Sequence, residues 1–201
     1  TTNRQQQVSL CDYLMYYPFI DTDSTDQQDM IQTVTLPRYT SGKVLAIAQS
    51  ASSSIGQFTM TYTNQDGVSG RVSPICFTQI VAGGGQSLMS YISGGGFNPY
   101  VPLQAGDSGV QSIESVTFTV TGGGLLALVI VKPLLTFFVA EECRRETTTP
   151  NSFGSSTEYN SVIMGKSPEI KDGAILGLIT KCQGGSLASS TLVGYLETVW
   201  N

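Results

Sequence analysis

Phe58-Thr59-Met60-Thr61-Tyr62-Thr63 alternates strictly between large apolar side chains and threonines. Val116-Thr117-Phe118-Thr119-Val120 repeats the pattern further along. Successive side chains of a strand point to opposite faces, so each stretch presents one apolar face and one hydroxyl face. A helix would scatter those same residues around its circumference. Period two therefore sets the fold class as all-β.

Turn signals separate these stretches from others of similar length. Asn64-Gln65-Asp66-Gly67 and the glycine triplets at 83–85, 94–96 and 122–124 favour reversals that only small or left-handed-tolerant residues accept. Strands are predicted near residues 43–50, 56–63, 71–81, 86–92, 110–121, 124–131, 134–143, 159–164, 174–182 and 191–199. Short strands at such spacing point to a β-sandwich or jelly-roll core. Helix is confined to short turns, one within residues 8–17 ahead of Pro18 and one from Asp26 to Val34. Residues 1–145 read as the main β-sandwich domain, with extended terminal segments that include a polar N-terminal arm up to Gln7. Residues 146–201 read as a Thr/Ser/Asn-rich linker and a small C-terminal β extension.

Composition narrows the function. Apolar residues make up 40% and charged residues only 12% of the 201-residue chain, against roughly 25% charged in an average soluble domain. Serine, threonine, glutamine and glycine fill the gap, which gives broad uncharged faces suited to burial in an assembly. The net charge of −5 and the lack of a basic stripe argue against nucleic acid as a partner. The one long apolar run, residues 124–140, is interrupted by Lys132-Pro133 and falls short of the roughly 20 residues a spanning helix needs. It reads as two buried strands joined at the proline, and no membrane partner is expected. The opening T-T-N-R-Q-Q-Q-V is polar and carries no signal pattern.

Cys11, Cys76, Cys143 and Cys182 lie far apart and the chain has no histidine. Zinc spacing is absent, and buried reduced thiols are expected. Without histidine, a serine or cysteine triad cannot be assembled. The glycine triplets lack the spacing and following helix of a phosphate loop. A carboxylate pair for glycoside hydrolysis can be drawn on paper from Asp66, Asp107, Glu141 and Glu142, but Glu141-Glu142 beside Arg144-Arg145 fits a solvated strand end. No catalytic residue and no cofactor is expected.

Phe19 to Met30, F-I-D-T-D-S-T-D-Q-Q-D-M, places Asp21, Asp23, Asp26 and Asp29 within nine residues. A calcium loop starting at Asp21 fails where Thr25, Asp26 and Gln32 replace the required ligand, glycine and glutamate. Another oxygen-rich cation site remains open. The structural alternative has Ser24 and Gln27 forming a capping box and Asp26 in a first helical turn, with Asp21 and Asp23 bonding their own backbone.

Several longer stretches carry a resemblance. L-M-Y-Y-P-F-I-D-T-D-S-T-D-Q-Q-D-M (from Leu14), T-L-P-R-Y-T-S-G (from Thr35), Y-T-N-Q-D-G-V-S-G-R-V-S (from Tyr62), Q-A-G-D-S-G-V-Q-S-I-E-S-V-T-F (from Gln104) and L-L-A-L-V-I-V-K-P-L (from Leu125) resemble a family of tailed-bacteriophage virion structural proteins. The resemblance spans roughly residues 10–140; the stretch from about 145 onward carries none. It implies a non-enzymatic capsid decoration, or cement, protein on the virion surface, made in the host cytoplasm. The implied partners are the major capsid protein and further copies of the chain, as a homotrimer or else a dimer. The alternative is a fibre-type protein that reads a host-surface glycan. Tyr13, Met15, Tyr16, Tyr17 and Phe19 form the densest cluster of interface-type side chains, and Trp200 is the single tryptophan.

Overall fold

The computed structural model describes residues 4–30, 34–80, 91–92, 99–141 and 168–182. These form ten strands: β1 (Arg4–Asp21), β2 (Gln28–Asp29), β3 (Lys43–Ala48), β4 (Gln57–Asn64), β5 (Arg71–Val72), β6 (Cys76–Phe77), β7 (Tyr91–Ile92), β8 (Val110–Val120), β9 (Leu125–Glu141) and β10 (Leu176–Cys182). All pairings are antiparallel. No helix occurs among the described residues. The fold is all-β and sandwich-like.

One sheet runs β10-β1-β9-β3; the other runs β2-β8-β4-β6-β7, with β5 also on β4. The threonine-alternating stretches are direct neighbours here, with Phe58 opposite Phe118 and Met60 opposite Val116. Their apolar faces are buried except at Val120, which is exposed at the end of β8, and the Phe58 and Phe118 rings meet at 5.3 Å. The main core lies between the sheets. Leu14, Ile20, Val44, Leu126, Leu128 and Ile130 of the first sheet pack against Phe58, Met60, Tyr62, Ile113, Val116 and Phe118 of the second. Burial of this many large side chains supplies the dominant folding force.

A second, smaller cluster sits on the opposite face of the first sheet, with Cys11, Leu45, Val129, Val131 and Ile179 against Tyr13, Ile47 and Tyr100. Strands β3 and β9 are therefore buried on both faces, which explains why Val44-Leu45-Ala46 and Leu126–Val131 read as continuous apolar runs.

The structure corrects the sequence reading in several places. Residues 8–17 are not a helical turn but the middle of β1. Three register shifts along the β1–β9 pair, at Leu10/Cys11, Tyr13/Met15 and Tyr17/Ile20, break its period of two. The strands expected at 124–131 and 134–143 are not separate at Pro133: β9 runs straight through it as far as Glu141. Pro133 stands opposite Cys11 at the first shift and beyond Val131, the last residue paired with β3. A missing amide is tolerated at such a place. The strand expected over 71–81 is two short ones, β5 and β6, separated by Ser73-Pro74-Ile75.

Arg4 to Gln7, assigned to the polar arm, pair with Glu141 to Phe138 of β9. At the other end of the chain, β10 pairs with β1 as an edge strand of the first sheet. The strands expected at 159–164 and 191–199, most of the one expected at 86–92 and most of the linker lie outside the described residues.

Candidate interface and buried carboxylates

The cluster from Tyr13 to Phe19 is divided by the bulges of β1. Tyr17 is buried and its hydroxyl accepts the Ile113 amide at 3.1 Å, tying β1 to β8 across the core. Met15 packs against the main core and Tyr13 against the smaller cluster. Tyr16 and Phe19 face outward, 53% and 72% exposed. Trp200 lies outside the described residues.

Phe19 owes its position to a local kink. Tyr17 opposes Leu128 and Ile20 opposes Leu126, so Pro18 and Phe19 together stand against Ala127. Phe19 takes φ 61°, a left-handed conformation that side chains other than glycine adopt at a cost. Gln49 holds the bulge: its Oε1 accepts the Phe19 amide at 2.7 Å and its Nε2 donates to the Tyr16 hydroxyl at 2.6 Å. One glutamine thus fixes the backbone of Phe19 and the ring of Tyr16.

The aspartate stretch follows directly. Asp21 Oδ1 accepts the Asp23 amide at 2.8 Å, the self-bonded turn expected of these residues. The capping box is not formed. Ser24 Oγ accepts from the Asp26 amide, two residues on, while the Gln27 side chain donates to Asp29. The chain then enters β2 instead of a helix, with residues 31–33 outside the described set. Gln28 bonds both the amide and the carbonyl of Asp21, and Thr22 bonds the Gly124 carbonyl, so the loop is pinned at its base. Asp21, Asp23, Asp26 and Asp29 remain exposed. Among the described residues, no group of three or more His, Cys, Asp or Glu is placed to hold a metal.

Two other aspartates are buried, and both are fully engaged. Asp107 Oδ2 accepts Tyr62 Oη at 2.6 Å and Arg71 Nε at 2.9 Å; Oδ1 accepts Asn64 Nδ2 at 2.8 Å. The Arg71 guanidinium, followed by the Tyr62 hydroxyl, holds this carboxyl down at about 2. With its lone pairs occupied, Asp107 is a knot between β4, β5 and the 104–109 turn and has little basicity to offer. Asp66, its paper partner for acid–base work, sits in an exposed turn and accepts from Gln65. Glu142 and the side chain of Glu141 lie outside the described residues.

Asp12 is the second knot, and the sequence reading missed it. Its carboxylate is completely buried and gripped in bidentate fashion by Arg38, at 2.8 and 2.7 Å, and it also accepts the Ile175 amide. Arg38, itself at φ 61°, donates further to the Tyr13 carbonyl. Lys171 donates to the Arg38 carbonyl and lies 4.7 Å from the Tyr39 ring centre, with Lys132 at 5.5 Å. This knot joins β1, the 37–39 turn and the entry to β10. The available signal was an aspartate inside the apolar run Ser9-Leu10-Cys11-Asp12-Tyr13-Leu14 of a charge-poor chain, because a buried charge requires a partner.

The chain matches no family model, no curated protein and no solved structure.

Proposed function

We propose that this chain is a non-enzymatic virion structural protein, a capsid decoration protein that binds the outer surface of the major capsid shell and stabilises it. The observation that carries the reading is outward-facing apolar surface on a rigid, charge-poor β framework. Phe19 is 72% and Tyr16 53% exposed at one end of β1, and Ile175 and Leu178 are 64% and 57% exposed at the β10 edge. Exposed apolar side chains grouped on a framework of this kind mark contact surfaces. The family resemblance over residues 10–140 supports the same role. Buried carboxylates consumed in structural knots also suit a protein whose task is to hold shape.

Self-association belongs to the proposal, with a homotrimer ahead of a dimer because shells offer threefold positions and closed symmetry buries faces without open-ended growth. The test is addition of the purified chain to shells prepared without it, followed by counting copies per particle. Saturable binding at hundreds of copies, with a raised shell disruption temperature, is expected. Absence of binding overturns the proposal. Saturation at a few tens of copies or fewer would instead favour a neck, tail or fibre role.

A further inference from the structure

We infer that the Pro18-Phe19 bulge, flanked by Tyr16 and the exposed aspartates of the 21–29 loop, is the shell-contacting surface, and that it fits a protein surface with an apolar socket rimmed by lysine or arginine. The inference rests on the capsid reading above and names the part of the chain that serves it.

The bulge is built for display. Two residues stand where the partner strand supplies one, and the result is an aromatic ring that is 72% exposed instead of joining the core beside Ile20. Gln49 secures the Phe19 amide and the Tyr16 hydroxyl together, so the backbone that carries Phe19 and the ring of Tyr16 are held before any partner arrives. Rigid aromatics placed in advance lose little entropy on docking and make effective anchors.

Charge defines the partner. Asp21, two residues from Phe19 on the same strand, is exposed, as are Asp23, Asp26 and Asp29, and none of the four is in an ion pair among the described residues. An apolar anchor with four exposed carboxylates is complementary to a basic rim, and it repels nucleic acid and anionic membranes. Among the described side chains a second copy offers such a rim poorly, because Arg38 and Arg71 are paired with Asp12 and Asp107 and Lys171 and Lys132 lie against Tyr39, which leaves Lys43.

The geometry supplies an unusually clean test. Phe19→Gly keeps the backbone amide that Gln49 accepts and suits φ 61°, so the melting temperature should hold or rise while shell binding falls at least tenfold. Asp23→Lys combined with Asp26→Lys should weaken binding and abolish its sensitivity to salt, since among the described residues neither side chain serves another bond of the loop. Asp66→Lys, in the exposed turn after β4, should change nothing. The probe is the same shell preparation, read by sedimentation of bound chain at several salt concentrations. Binding by the unaltered chain that persists in Phe19→Gly and in the double reversal overturns the inference alone. Failure of the unaltered chain to bind overturns the capsid reading and the inference with it. Loss of self-association in Phe19→Gly, with shell binding intact, would assign the bulge to a second copy and overturn the inference.

Discussion

Tyr62 donates its phenolic proton to Asp107 Oδ2 over 2.6 Å while its oxygen accepts the Gln104 amide at 2.8 Å, so one buried ring aligns both ends of the 104–107 turn. The Asp107 carboxyl is lowered from 3.8 to about 2, first by Arg71 and then by Tyr62. A depressed carboxyl contributes stability that is complete above its unfolded value and is lost as pH falls through the folded one. Asp107→Asn should therefore melt lower than the natural chain at neutral pH, and the gap should close between about pH 4 and pH 2. Melting curves across that range decide the matter; a gap independent of pH would show that the carboxylate's charge is immaterial.

Glycines that look alike in sequence differ here in what surrounds them. Gly67 and Gly124 both have positive φ, 79° and 93°, but Gly67 faces open space whereas a Cβ on Gly124 would meet the Ala51 carbonyl. Gly67→Ala should cost only the left-handed penalty of about 1–2 kcal/mol. That is a fall of roughly 2–8 °C for a chain of this size. Gly124→Ala should cost clearly more, because the steric clash adds to the same penalty. Equal losses in thermal melts would mean that the 122–124 turn yields more readily than its contacts indicate.

That contrast bears on what the sequence could convey. Strands β4 and β8 were legible because each has one buried face and one threonine face, and the alternation from Phe58 to Thr63 reports it directly. β1 was not, because bulges at Leu14 and at Pro18-Phe19 shift its facing twice, so the apolar spacing mimics a helix. The end of β9 was hidden behind Pro133, whose tolerance depends on β3 ending at its partner Val131. The cluster from Tyr13 to Phe19 was visible as a group, but the sorting of buried Tyr17 from exposed Tyr16 follows from those same bulges. Asp12 and Arg38, 26 residues apart, share no local pattern. Only the tertiary fold brings them together.

The cysteines give a third prediction. Burial pushes the Cys11 thiol up to about 11 and the Cys76 thiol up to about 12, and both are free. Thiolate is the reactive form, so neither should be alkylated in the folded protein at pH 8. In denaturant without reductant all four thiols should titrate, Cys143 and Cys182 included. Mass mapping of alkylated peptides checks both statements. Labelling of Cys76 before unfolding would mean that β6 opens locally.

A fourth concerns the exposed aspartates. The loop is held by Asp21 Oδ1, Gln28 and Thr22, all using protein partners. Chelator should leave the melting temperature unchanged, whereas a resident calcium would stabilise the fold by mass action and its removal would lower it. Asp21→Ala should cost about 1 kcal/mol, the usual worth of a side-chain bond to a free turn amide. A drop with chelator that calcium reverses would convert the turn into a cation site.

The last prediction concerns the first seven residues. A free arm can be removed without harm, but Arg4 to Gln7 complete the β1–β9 ladder opposite Glu141 to Phe138, and Gln6 and Gln7 also face Cys182 and Lys181 of β10. β1 lies between those strands, so its loss unpairs both at once. A handful of terminal ladder bonds, each worth about 0.5–1.5 kcal/mol net and weakened by end fraying, sums to about 2 kcal/mol. Deleting residues 1–7 should lower the melting temperature by roughly 4–8 °C. Hydrogen exchange should accelerate at residues 138–141 while the β4–β8 ladder, in the other sheet, stays protected. Weakened shell attachment by the truncated chain therefore counts as loss of an arm only if those β9 amides remain as protected as before. An unchanged melting point with unchanged exchange would show that Arg4 to Gln7 leave the sheet freely.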